Sequence, residues 1–461
     1  MPCHSDPDEE QEERGQEVKL KDKESPLTLA IESPTGFWLL SMYMLFSGYI
    51  ILFSILRYIF LVPEGRETFD NDWGLFAAAF ASFLNGFYIW LLQHVFLFLV
   101  VYPVTVYAWR TGCLFPCFGL FVKVIMLSMT AVLARLDQNM GPATRLAVIF
   151  ETLRLAFKAF SFISQIPKLM LKKEEQTQRP LNHRTSDVLK GPGDDVVSLS
   201  HFLYFLFCPT VLYRPLYPRR TSRNIQRMVY NMYIILSMMF FAVKLTSLIV
   251  YPVSVVGKES IPVDTFVTSF FWSSSCMGYL CFLALAIGWL QCWQNFMAEV
   301  LLFGDRQFYQ EYYRTNKFDK FFLTWNRVIQ NYLFECIYLP VKSNYGKKWA
   351  ALMVVLYSSI LHDYYLSVSV GGLFFIYVVR MPILIFLKSN DADKKLPNLV
   401  WFINFHSMHF AEGAFHFLYV LEYYSRYNCP ASSTNAFIDL IVPRFIGCVS
   451  LTSYNQTTNI N

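Results

Sequence analysis

The stretch GLFAAAFASFLNGFYIWLLQHVFLFLVVYPVTVYAW, residues Gly74 to Trp109, runs for 36 residues without an Asp, Glu, Lys or Arg. Roughly 20 apolar residues suffice to cross the hydrocarbon core of a bilayer, so this run predicts one long tilted helix through a membrane. Working outward, Trp38 to Val62 and Gly112 to Ala134 read as spans on either side of it. Met228 to Val256, Phe266 to Ala298, Trp349 to Leu387 (broken at Gly371 and Gly372) and Leu399 to Leu421 have the same character. Pro142 to Ile166 differs, because Glu151, Arg154 and Lys158 interrupt it at helical spacing. It reads either as a span inside a bundle or as a helix lying at the interface. Counting that segment and splitting the broken one gives about nine transmembrane helices.

Composition points the same way. Of 461 residues 54% are hydrophobic and 16% charged, whereas about 25% of a soluble domain is charged. The expected fold class is an all-α polytopic membrane protein. Ten acidic and four basic residues crowd the first 35 positions, so residues 1–35 read as a disordered acidic tail and 36–461 as one membrane-embedded domain. The tail has no apolar core of the kind a signal peptide needs. If it is cytosolic, the cytosolic segments, chiefly those near 167–224 and 299–348, hold 22 Lys and Arg against 6 on the opposite side, as the positive-inside rule requires. The C-terminal tail near 423–461 is then lumenal or external. A disulfide between Cys429 and Cys448 is expected in that oxidising compartment, where Asn455 also offers a glycosylation sequon. The chain has no P-loop, no GxGxxG and no internal repeat, which disfavours a nucleotide-driven pump, and nothing in it suggests a nucleic-acid partner.

Ionisable groups inside apolar helices are costly and call for an account. His362 stands near mid-membrane depth in SSILHDYY, with Asp363 after it and Ser358 one turn before it. A buried neutral imidazole suits a general base facing a hydroxyl; the alternative is a packing histidine bonded to Ser358 or to a carbonyl. In the last span His406, His409, Glu412 and His416 fall on one helical stripe, a pattern open to metal binding, to lining of a polar cavity or to interhelical hydrogen bonding. The block Phe303 to Pro340 mixes aromatics with both signs of charge and reads as a segment on the bilayer surface or as the mouth of a cavity.

Several of these segments resemble motifs of one family. FGDRQFYQEYY (303–313) resembles the FGDRxFYxDWW signature of membrane-bound O-acyltransferases in the branch that esterifies sterols and diacylglycerol. LTWNRVIQNYL (323–333), SSILHDYY (358–365) and LYFLFCPTVLYRPLYPR (203–219) are similar to further motifs of that branch, in the same order. The ending LEYYSRYNCPASSTNAFIDLIVPRFIGC (421–448) resembles that of the sterol O-acyltransferases rather than the diacylglycerol enzymes.

The resemblance implies transfer of a long-chain acyl group from acyl-CoA to a sterol hydroxyl, with a bundle enclosing a reaction chamber and with diacylglycerol as the alternative acceptor. It implies His362 as the catalytic base and Asn326 as the second active-site residue. Ser358, Trp325, Phe308, Tyr309, Glu311, Tyr312, Tyr313 and Arg306 would support them or contact substrate. It further implies no cofactor and no metal, an endoplasmic-reticulum membrane, surrounding lipids, and a dimer or tetramer. The chain departs from the pattern at Glu311, Tyr312, Tyr313, Arg314, Gln330, Phe160 and Glu412, departures that bear on the acceptor more than on acyl transfer. The rival readings are a lipid or ion transporter lined by buried histidines and a non-catalytic lipid-binding member.

Overall fold

The computed structural model of the chain describes residues 23–60, 74–112, 117–178, 197–312, 318–371 and 397–452. The helices in chain order are α1 (Pro26–Glu32), α2 (Pro34–Phe60), α3 (Phe83–Phe96), α4 (Tyr102–Thr111), α5 (Phe118–Leu136), α6 (Pro142–Gln178), α7 (Leu199–Phe207), α8 (Ile225–Val253) and α9 (Val263–Trp272). They continue as α10 (Gly278–Ala286), α11 (Gln294–Val300), α12 (Phe318–Trp325), α13 (Arg327–Leu333), α14 (Leu339–Tyr345), α15 (Lys347–Ser369), α16 (Pro397–Asn428), α17 (Ala436–Ile441) and α18 (Phe445–Cys448). Two short strands, β1 (Ile261–Pro262) and β2 (Leu451–Thr452), pair in parallel. The fold is helical and of the membrane type.

Among the described residues five helical stretches are long and apolar enough to cross a membrane: Pro34–Phe53, Gly74–Thr111, Phe118–Leu136, Ile225–Val250 and Lys347–Ser369. Large apolar side chains point outward from them, among them Phe46, Leu99 and Leu136, each at least 70% exposed. Polar groups are turned inward: Gln93 Nε2 donates to the hydroxyls of Thr130 (2.7 Å) and Thr152 (2.6 Å) in a buried triangle joining α3, α5 and α6. This inversion is what lipid as solvent demands, since a polar group in hydrocarbon must find its partners within the protein.

Helix α6 resolves the segment that the sequence leaves open. Leu155, Ala156, Phe157, Ala159 and Phe162 are all buried, so no wide face is left over for an interface. Its charges are satisfied internally: Arg154 Nε donates to Glu151 at 2.7 Å, and Lys158 Nζ donates to the carbonyls of Phe205 and Cys208 at 2.5 and 2.7 Å. A helix buried all round belongs in the middle of a bundle.

Two expectations need correction. The run from Gly74 to Trp109 is not one continuous helix, because it turns at residues 80–82, where Ser82 has φ +54, before α3 begins. The Gly141 N–H donates to the Ala81 carbonyl at 3.1 Å, so the loop between α5 and α6 stabilises this break. Residues 23–35, expected to belong to a disordered tail, are also structured, since α1 buries Thr28 and Ile31. Glu24 and Glu32, counted as solvated charges, instead pair with Arg220 and Arg227. The expected span 372–387, Asn455, Tyr313 and Arg314 lie outside the described residues, as do the side chains of His406 and His409.

Candidate active site

The FGDR segment is held as the middle of three extended chain stretches. On one side Lys23 N–H donates to the Gly304 carbonyl (3.0 Å) and Arg306 N–H to the Lys23 carbonyl (2.8 Å). On the other, Gly304 N–H donates to Pro218 (2.9 Å) and Arg220 N–H to Leu302 (2.8 Å). The two motifs YPR and FGDR, some 85 residues apart in sequence, are therefore backbone partners. Arg306 is fully buried: its guanidinium pairs with the equally buried Glu299 and donates through Nε to the Phe303 carbonyl at 2.7 Å. Its geometry is that of a support. Phe308 packs in the core, and the buried Tyr309 hydroxyl donates to Gln291 Oε1 at 2.6 Å.

The same segment then pairs with the TWN element. Gln310 N–H donates to the Thr324 carbonyl (2.8 Å) and Arg327 N–H to the Phe308 carbonyl (2.9 Å). Tyr312 meets Trp325 edge-on with ring centroids 4.8 Å apart, and Trp325 stacks on Phe321 at 5.7 Å, while Glu311 is exposed. Asn326 is the N-cap of α13: its Oδ1 accepts from the Ile329 N–H at 3.2 Å. Capping engages the oxygen and leaves the two Nδ2 hydrogens as the donor half of the amide. The capping role and a donor role are compatible, and the first orients the amide for the second.

His362 lies on α15, half-buried, with Nδ1 2.7 Å from the Ser358 carbonyl oxygen. A carbonyl only accepts, so Nδ1 carries a proton, and in the neutral form of the ring Nε2 is the acceptor atom. Ser358 thus contributes its backbone rather than its hydroxyl to this bond. The ring of Tyr365 tilts against the imidazole at 5.7 Å.

Chain geometry places Asn326 and His362 on the same side of a shared tie, away from the turn at Gly346. Helix α13, a π turn at Phe334–Tyr338 and α14 run as one rod, and Gly346, at φ +86, reverses the chain into α15. Across this hairpin the Lys123 ammonium, from α5, donates to the hydroxyls of Tyr332 (2.9 Å) and Tyr357 (2.8 Å). Asn326 precedes Tyr332 by six residues and His362 follows Tyr357 by five. At the helical rise these are offsets of about 9 and about 7.5 Å in the same direction along the hairpin. Sequence reading missed Lys123, although a lone cation inside an apolar helix is the kind of signal that warrants attention.

The stripe in α16 behaves differently. His416 Nε2 lies 3.2 Å from the Thr246 hydroxyl on α8, and that hydroxyl lies 3.5 Å from Cys281 on α10. A Cβ added to Gly278 would come within 2.5 Å of the Gly413 Cα, so α10 and α16 touch at a pair of glycines beside this cluster. His416 is therefore an interhelical tie, and Glu412 sits half-buried one turn before it. Among the described residues no three His, Cys, Asp or Glu side chains are grouped to hold a metal ion. At the C-terminal end Cys429 and Cys448 are disulfide-bonded with Cα atoms 6.2 Å apart. Nearby Arg444 grips Asp439 through two hydrogen bonds of 2.9 and 2.7 Å, which pull that carboxyl down to about 2.

The model of the MBOAT family, the membrane-bound O-acyltransferases, matches residues 101–421. The chain belongs to that family. The matched region takes in α5, both arms of the α13–α15 hairpin and most of α16, so this acyltransferase carries its candidate pair within it. Sterol O-acyltransferase 2 of Mus musculus is 27% identical over 422 residues, covering 88% of this chain and 76% of the relative. Sterol O-acyltransferase 1 of Chlorocebus aethiops is 26% identical over 431 residues, covering 88% and 74%. Sterol O-acyltransferase 2 of Homo sapiens is 26% identical over 345 residues, covering 74% and 63%.

Proposed function

We propose that this acyltransferase moves a long-chain acyl group from acyl-CoA to a sterol hydroxyl. His362 Nε2 takes the hydroxyl proton as the oxygen attacks the thioester carbonyl carbon. Asn326 Nδ2 donates to the oxyanion that forms. Collapse breaks the C–S bond, and the proton passes from the imidazolium to the departing CoA thiolate, leaving sterol ester and CoA. A thioester is already activated, so alignment and proton removal are the main demands on the protein.

The observation that carries this reading is the Nδ1–H bond from His362 to the Ser358 carbonyl, because it fixes the tautomer a base requires. A position within the bundle also keeps water, a competing nucleophile, from the thioester. Two features support a sterol as acceptor: the named activity of the relatives and a C-terminal segment closed by the Cys429–Cys448 disulfide. The CoA portion enters from the cytosol near Phe308 to Trp325, and the sterol from the bilayer. The membrane is that of the endoplasmic reticulum, with a cytosolic N-terminus, a lumenal C-terminus and a dimeric or tetrameric assembly.

The test is incubation of the purified full-length protein with labelled oleoyl-CoA and either cholesterol or diacylglycerol. Sterol ester is the expected product. Triacylglycerol would transfer the reading to the other acceptor, and no ester with either would overturn it.

A further inference from the structure

We propose that Lys123 is a positioning residue for acyl transfer: its ammonium braces the α13–α15 hairpin and so sets the Asn326 amide and the His362 ring against each other. This inference rests on the acyl-transfer reading of that pair.

Lys123 is 5% exposed and lies in the apolar interior of α5. A cation at that depth costs several kcal/mol unless its donors are satisfied. An ammonium has three N–H bonds. Two meet the phenol oxygens of Tyr332 and Tyr357, and the nitrogen lies 3.9 Å from the centroid of the Phe160 ring, within cation–π range. The described partners are phenols and ring faces rather than carboxylates, and together they use every donor. That arrangement has no donor left for a ligand. It is a clamp.

Its partners identify what is clamped. Phe160 comes from α6, Tyr332 from α13 and Tyr357 from α15, so one nitrogen joins α5 to three other helices. Phe157, also from α6, stacks on Tyr332 at 4.6 Å and fixes the plane of that ring. The π turn begins two residues after Tyr332, at Phe334, where the rod departs from regular α geometry. Contacts outside the helix thus fix where Tyr332 sits, and regular α propagation resumes beyond them. The brace acts about 9 Å from Asn326 and about 7.5 Å from His362 along the hairpin. Phe160 also gains a role. It is one of the departures from the family pattern, and its ring face accepts the Lys123 cation.

The experiment compares wild type, Lys123→Met, Tyr332→Phe, Tyr357→Phe and the Lys123→Met/Tyr357→Phe double variant. Each is purified full-length and normalised to folded protein, and kcat and the acyl-CoA KM are measured separately. Wild type and His362→Ala are assayed first. If wild type forms no ester, or His362→Ala turns over normally, the underlying reading fails and the brace is not at issue. Where that reading holds, Lys123→Met is expected to lower kcat roughly 10- to 100-fold, as small misplacements of reacting groups do, with KM changed less than about threefold. Each phenol deletion should cost a smaller factor of about 3 to 10 in kcat, in line with one lost hydrogen bond to a charged group. Tyr357→Phe should add almost nothing once Lys123 is gone, because the bond it removes is already absent. A purely structural lysine would lower the folded fraction or Tm and leave kcat per folded molecule unchanged. That result, or additive effects of Lys123→Met and Tyr357→Phe on kcat, would overturn the proposal. Should Lys123→Met not fold, the two phenylalanine variants decide alone, and unchanged kcat in both overturns it.

Discussion

His362 and His416 both sit in long apolar helices, yet the structure treats them in opposite ways. His362 bonds through Nδ1 to a carbonyl of its own helix, which sets its tautomer. His416 reaches across to Thr246 on another helix, beside Cys281, and spends its bonding on holding α8, α10 and α16 together. The difference teaches that a buried histidine is judged by which partner its ring engages. A tie within one helix fixes the tautomer, as the Trp90 carbonyl also does for His94 at 2.9 Å. A tie between helices secures packing.

The comparison breaks most sharply under paired substitution. His362→Ala is expected to lower ester turnover by about 10² to 10⁴, the usual effect of a lost general base, with the fold retained. Turnover of His416→Ala per folded molecule should stay within about threefold of wild type, its loss appearing in thermal stability instead. Equal losses of turnover in the two variants would erase the distinction.

Arg306→Met should follow in size. It removes the nearest cation from the buried Glu299, which keeps Arg227 at 3.4 Å and Arg220 at 3.7 Å, so the cost should fall toward the lower end of the about 3 to 5 kcal/mol of a broken buried pair. Thermal unfolding should show a large drop, and turnover per folded molecule a small one. Asn326 sharpens the contrast between scaffold and chemistry within one residue. Asn326→Ser retains an acceptor for the α13 cap but loses the amide donor, so it should hold stability within about 0.5 kcal/mol of wild type while turnover falls about 10²-fold or more. Asn326→Ala should lose both. If Asn326→Ser recovers activity along with the cap, the amide is structural only.

The smallest effect belongs to the C-terminal segment. Hydrogen bonds from Arg444 hold the Asp439 carboxyl down at about 2, below its unfolded value near 3.9. A depressed carboxyl contributes stability above the unfolded pKa and loses it as pH falls toward the folded one. Acidification from pH 5 to pH 2 should therefore destabilise the wild type more than Asp439→Asn, with no difference between their pH profiles from 5 to 8. Circular-dichroism melts across that range check it.

Much of this was legible in the sequence, and the failures have physical causes. The apolar runs marked the spans because lipid leaves few alternatives to a helix. The break at Ser82 was not legible, since its stabilising bond comes from Gly141, nearly 60 residues away. The i−4 spacing foretold a bond between residues 362 and 358, although the atom used is a carbonyl that every residue possesses. Capping by Asn326 follows from local preference alone. Lys123 went unread because its partners stand at 160, 332 and 357, and only the fold collects them. The acidic count hid the order of residues 23–35, because Arg220 and Arg227 lie some 200 residues beyond the Glu24 they neutralise. Periodicity groups Glu412 with the histidines of its stripe, but the contact of His416 with Thr246 on α8 depends on the fold and could not be read from spacing.

The most direct test of the central claim separates binding from chemistry in one variant. Binding of labelled oleoyl-CoA and its conversion to sterol ester are measured together on purified His362→Ala and wild type. The account predicts that acyl-CoA affinity stays within about threefold while ester formation falls by about 10² to 10⁴. Turnover near that of wild type, or a loss of turnover that simply follows a loss of acyl-CoA binding, would contradict it.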